Sequence, residues 1–167
     1  MQPRLQYGWA VSRIRWVMLV YRLPRTPSTP RITLWRKLRR LGVAQVVDGV
    51  VALPLDSRNR EQLEWLADEV VEAGGEATIW VSETSTAAQE RALAAAMAER
   101  IAAEYRAIIG DAAGALDGSE VERRRTLARL RRGLRRIGAR DYFPPPERDQ
   151  ARGAVERLAK AGVEVTR

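Results

Sequence analysis

The sequence predicts an α+β fold, and three observations carry that reading. Trp16 to Tyr21 is a bulky apolar run of strand length. Asp48-Gly49 joins two β-branched stretches, the strongest short hairpin signal. The second half of the chain is alanine-rich, with apolar residues three and four apart, the period of a helix with one buried face.

Met1 to Arg13 shows no period and is read as a leader arm. The run Trp16–Tyr21 follows as a buried central strand, closed by Leu23-Pro24. Pro24, Pro27 and Pro30 keep the next stretch extended. Ser28 or Thr29 then caps a helix with Pro30 in its first turn, apolar positions Leu34, Leu38 and Leu41, and Gly42 as C-terminal cap. Val43–Val47 and Val50–Leu53 form the hairpin. Asp56 or Ser57 caps a second helix carrying Leu63, Leu66, Val70 and Ala73, which Gly74-Gly75 stops. Ala77–Val81 is the fourth strand. The order strand, helix, hairpin, helix, strand is the ferredoxin-like split βαβ (βαββαβ).

A C-terminal helical extension completes the fold. Thr86 caps a helix to about Ile109, Gly110 to Gly118 reads as turns, and Ser119 begins a helix through Leu127, Leu130, Leu134 and Ile137. Pro144-Pro145-Pro146 breaks the chain before a last helix from Glu147 to Ala161. Gly162 should end that helix and leave Val163–Val165 as an extra edge strand. The implied division is 1–13 leader arm, 14–84 ferredoxin-like domain and 85–167 helical extension.

With 46% hydrophobic residues in 167, a core can form. No apolar segment nears the roughly 18–20 residues of a membrane span, nor a secretory core, so a cytoplasmic protein is expected. Cysteine and histidine are both absent. That removes thiol redox chemistry, thiolate or imidazole metal sites and the commonest general base. No nucleophile–base pair, phosphate loop or matched carboxylates stand out. The expectation is a non-catalytic protein with no cofactor.

The net charge of +8 is the footprint of a polyanion binder. Only Lys37 and Lys160 are lysines, and the arginine and alanine bias is also what a GC-rich genome produces. The helix from Ser119 carries Arg123, Arg124, Arg125, Arg129, Arg131, Arg132, Arg135 and Arg136, most of them opposite the leucine stripe. Guanidinium forks on such a helix suit phosphates, so these are candidate nucleic-acid contacts. The alternative is a solvated face neutralising acids such as Glu99 and Glu104. Arg25, Arg36 and Arg40 form a second candidate group, against the alternative of an ordinary exposed face. Trp16, Trp35, Trp65 and Trp80 are read as core rather than ligand platforms, Trp16 and Trp80 on strands under the helices. Trp65 lies opposite its helix's apolar stripe, so it meets the C-terminal helices or forms a self-association surface, with base stacking the less favoured alternative.

The run Trp16-Val-Met-Leu-Val-Tyr21, Leu23-Pro24, Pro30-Arg31-Ile32, Trp35-Arg36-Lys37-Leu38 and Leu41-Gly42 resembles the opening of ChrB-type chromate-resistance regulators. Leu53-Pro54, Glu64-Trp65-Leu66, Gly74-Gly75-Glu76-Ala77 and Asp141-Tyr142-Phe143-Pro144 follow in the same order, so the resemblance covers Ile14 to Ala161. It implies a chromate-responsive DNA-binding regulator whose N-terminal half is ferredoxin-like with helical additions. It also implies a fold likeness to small CRISPR-associated nucleases and phenylacetate-pathway repressors. Those nucleases keep an aspartate at the end of the first strand, where this sequence has Tyr21-Arg22. Members of usual length carry a second domain, so the chain is expected to be a stand-alone half or part of a longer protein. The partners expected are DNA, a chromate or other oxyanion effector held by arginine and backbone amides, and a second copy in a homodimer. A protein–protein interaction module is the rival expectation.

Overall fold

The computed structural model describes residues 13–164; Met1–Ser12 of the leader arm and Val165 lie outside them. It is α+β, with four strands and five helices among the described residues. β1 (Trp16–Arg22), α1 (Thr29–Leu41), β2 (Ala44–Val47), β3 (Val50–Pro54), α2 (Ser57–Glu72) and β4 (Glu76–Ser82) come first. α3 (Ala87–Gly114), α4 (Glu120–Gly138) and α5 (Glu147–Glu164) follow. The chain forms two compact units, divided inside α3 between Met97 and Ala98.

In the first unit the strands lie in the order β2-β3-β1-β4, each antiparallel to its neighbour. Cross-strand partners share a face, so the register puts Val17 with Leu53 and Val81, and Leu19 with Val51 and Ile79. Val17, Leu19, Val51 and Leu53 are wholly buried, and α2 packs against β1 and β4. The opposite face carries Trp16, Met18 and Val20 with Ala52, Val50, Trp80 and Thr78. The first turns of α3 border it: Met18 and Ala52 line a cavity with Ala92, Leu93 and Ala96, and the Glu90 carboxylate accepts the Ile14 N–H at 2.6 Å.

That register corrects the tryptophan reading. Trp16 is buried, but Trp80, paired with Met18, is 57% exposed on the side away from α2. The near-continuous apolar run Ala77–Val81 does not declare its inward face; the pairing does. Trp35 is exposed as well, at 53%.

Gly42 caps α1 in the left-handed region as predicted, whereas the Ser28 side chain makes no capping bond. Asp56 caps α2, its Oδ1 accepting from the Asn59 N–H at 2.6 Å.

The second unit packs α4 and α5 on the later turns of α3. Its core holds Tyr105, Ile108 and Ala112 of α3, Leu130 and Ile137 of α4, and Ala151, Val155 and Leu158 of α5. This core explains two departures from prediction. α3 runs through Gly110 to Gly114, because an interior glycine costs only about 1 kcal/mol relative to alanine and the burial of Ile108 and Ala112 on either side outweighs it. α5 likewise continues through Gly162 to Glu164, so Val163 is helical and not part of an edge strand.

Past the end of α4 the chain is fastened by two polar contacts. Arg140 grips Glu104 with both terminal nitrogens, and the Tyr105 hydroxyl donates to Asp141 Oδ2 at 2.9 Å. Burial pushes the Asp141 carboxyl up, against the lowering pull of the Tyr105 hydroxyl, Arg148 and Arg152. Burial also raises the Tyr105 phenol.

Gly49 has φ +75°, and a Cβ there would lie 2.5 Å from the Tyr21 carbonyl oxygen; Gly74 has φ +78° with open space around it. Gly74→Ala should therefore cost only the left-handed penalty, about 1–2 kcal/mol. Gly49→Ala should cost clearly more, about 2–4 kcal/mol; equal shifts in urea midpoint would contradict the close approach.

Tyr105→Phe removes the hydroxyl that donates to Asp141. A raised folded-state carboxyl contributes stability below its ordinary pKa of about 3.9 and loses it as pH climbs through the raised value. Removing the hydroxyl raises that carboxyl further. The variant should lose about 1–3 kcal/mol at pH 7 and less below pH 4. Urea unfolding at the two pH values checks this, and a pH-independent loss would break the assignment.

Candidate nucleic-acid interface

α4 starts at a full capping box. The Ser119 hydroxyl accepts the Glu122 N–H at 3.3 Å, and Glu122 Oε2 accepts the Ser119 N–H at 2.8 Å. The Ser119 hydroxyl, donating to Glu122 Oε2 at 2.7 Å, and then the Ser119 N–H hold the Glu122 carboxyl below its usual range. Glu120 and Glu122 sit in the first turn and Arg135 and Arg136 in the last, each sign at the helix end that favours it.

Leu130, Gly133 and Ile137 are buried, with Leu127 and Leu134 partly buried beside them. Gly133 allows close approach to α3: a Cβ there would meet the Ile108 side chain at 3.2 Å. At about 100° per residue, this seam sends Arg124, Arg125, Arg129, Arg131, Arg132, Arg135 and Arg136 onto an outer arc of about 160°. All seven are exposed. From Arg125 to Arg136 the row is about 16 Å long.

Arg123 is placed differently. It falls on the seam side, half-buried, and its Nη1 donates to the Gly118 carbonyl. The wheel carries the signal: position 123 lies one turn before Leu127 and two before Leu130.

Few acids offset the arc. Arg124 pairs with Glu120 at 2.5 Å and Arg129 with Asp111 at 2.8 Å. Arg125, Arg131, Arg132, Arg135 and Arg136 have no ion pair among the described residues. Glu99 and Glu104 are taken by Arg106 and Arg140, not by α4. Among the described residues the outer arc thus carries a surplus of planar cationic donors.

The second group lies in the first unit. Arg25 sits in the loop before α1, and Arg36 and Arg40 lie one turn apart on α1's outer side; all are exposed and without an ion pair among the described residues. Two aromatic features lie beside them. The Arg39 guanidinium stacks over the Trp35 ring at 4.7 Å, and Trp65 on α2 is 61% exposed. Among the described residues no group of three or more carboxylates is placed to hold a metal ion, and no helix is long and apolar enough to cross a membrane.

The profile of the family described as "Protein ChrB, N-terminal" matches residues 31–166. Protein ChrB of Cupriavidus metallidurans is 32% identical over 133 residues, covering 77% of this chain. The chain spans 40% of the length of that curated relative. No solved structure matches the chain. A family match over most of the chain, on both compact units, places this protein in the ChrB N-terminal family.

Proposed function

We propose that the chain is the non-catalytic, DNA-binding part of a cytoplasmic transcriptional regulator of chromate or other oxyanion resistance. The carrying observation is the outer arc of α4, where five exposed arginines lack any ion pair among the described residues. Such an arc can reach phosphates on both walls of a B-DNA major groove, about 12 Å across. Bidentate guanidinium–phosphate bonds would hold it there. Membership of the ChrB family supports the link to chromate. The antiparallel order β2-β3-β1-β4 supports reading the first unit as ferredoxin-like. With neither cysteine nor histidine, any chromate bound by this chain would be held by arginine and backbone N–H groups.

A second reading, an interaction or dimerisation module, has its own support in the apolar side chains left outward on the sheet, Val20, Val46, Val47 and Trp80. Light scattering at micromolar protein tests it, with dimer mass expected and monomer mass excluding it.

The DNA reading is tested by salt titration of duplex binding, with and without chromate. Affinity should fall with a log–log slope of about −0.9 per phosphate neutralised. Arg125→Ala, Arg132→Ala and Arg136→Ala combined should flatten the slope by up to about three phosphates' worth, with the fold intact. A folded triple variant that binds as before removes α4 from the interface and turns attention to Arg25, Arg36 and Arg40.

A further inference from the structure

The outermost line of α2 is acidic. With Leu63, Leu66 and Val70 buried, the helix turns Glu61, Trp65, Asp68 and Glu72 outward within about 60° of one another. All four are exposed, Trp65 at 61%. Glu61, Asp68 and Glu72 have no ion pair among the described residues, whereas Glu64 is held by Arg60 and Glu69 by Lys37. Arg58 in the first turn and Arg40 across the α1–α2 groove border the tryptophan edge of this line; none of its own positions is basic.

The steps from 61 to 65, 68 and 72 are four, three and four residues, the seam by which one helix packs along another. α4 repeats it. Arg125, Arg129, Arg132 and Arg136 have the same steps and are exposed on the outer arc. With the two helices side by side in one direction, Glu61 meets Arg125, Asp68 meets Arg132 and Glu72 meets Arg136. None of these six has an ion pair among the described residues. The remaining position sets Trp65 against Arg129, which is already paired with Asp111 at 2.8 Å and can still lay its planar face on a ring. Arg39 covers Trp35 in that manner at 4.7 Å. Reversing one helix would set Asp68 against the paired Arg129 and a free arginine against the indole, so the same-direction register is the one that matches charge for charge.

We propose that the outer line of α2 in one copy docks, in this register, along the arginine arc of α4 in a second copy. Every copy carries both surfaces. The net charge of +8 opposes this only weakly, because charges more than about 10 Å apart are screened at about 0.1 M salt while the facing pairs are in contact. The inference stands apart from the DNA reading. It adds that self-association and duplex binding compete for α4.

The test is sedimentation of the full chain at low salt, with circular dichroism of each variant. The parent should self-associate, and the assembly should dissolve as salt rises. Glu61→Lys, Asp68→Lys and Glu72→Lys combined should weaken association at least about tenfold. Arg125→Glu, Arg132→Glu and Arg136→Glu combined should do the same. An equimolar mixture of the two should associate within about threefold of the parent, since each supplies the sign the other lacks. A monomeric parent, indifference to either reversal, or no recovery on mixing folded variants overturns the proposal. Should the α4 reversal not fold, Asp68→Arg mixed with Arg132→Asp decides: recovery supports the register, and equal recovery with Arg125→Asp overturns it. Trp65→Ala should weaken association and Trp35→Ala should not; equal losses overturn the assignment of Trp65. Saturating duplex that binds without dissolving the assembly overturns the proposal as well.

Discussion

Leu130, Gly133 and Ile137 lock α4 against Ile108 and its neighbours on α3, and this seam governs everything the second unit presents to solvent. A helix has one rotational freedom when it docks. Burying the seam removes water from its apolar side chains, at about 25 cal/mol per Å², and that consumes the freedom. Seven arginines are then outward by geometry, whatever their own preference. Neighbouring like charges on one helix repel, so α4 would be a poor helix alone. The seam, the capping box at Ser119 and the Arg140–Glu104 pair beyond its C-terminus hold it against that repulsion.

Much of this was legible because local chemistry and burial agree. Asp48-Gly49 supplies the one residue pair suited to the β2–β3 turn, and Gly49 does have positive φ. Asp56 and Ser119 cap the helices they precede. The leucine stripe of α4 alone set the direction of its arginine arc. What escaped the sequence depends on partners far along the chain. The face of Trp80 follows from its pairing with Met18, sixty-two residues earlier, and not from the apolar run around it. Gly110-Asp111 resembles a turn, yet lies within α3, which places Asp111 to pair with Arg129. Arg123 looks like its neighbours until the seam turns it inward.

The two units divide the physical work. The first buries one face of a four-stranded sheet under a helix and leaves Trp35, Trp65 and Trp80 exposed. The second concentrates charge on one helix. Neither contains a histidine or a cysteine, so no imidazole or thiol chemistry is available to either. Exposed arginines respond to salt far more than to pH near neutrality.

Whether the outer arc of α4 faces DNA, as proposed, can be read with a photocrosslinker placed on it. Because the chain lacks cysteine, Ala128→Cys on that arc creates a unique thiol among the arginines, and Glu156→Cys on α5 a matching exposed control. Each thiol can carry an azidophenacyl group and be photolysed with duplex DNA at rising salt. Efficient crosslinking from position 128, lost as salt rises, and little from position 156 is the expected result. Equal yields from both positions, or none from 128 while the duplex remains bound, would contradict it.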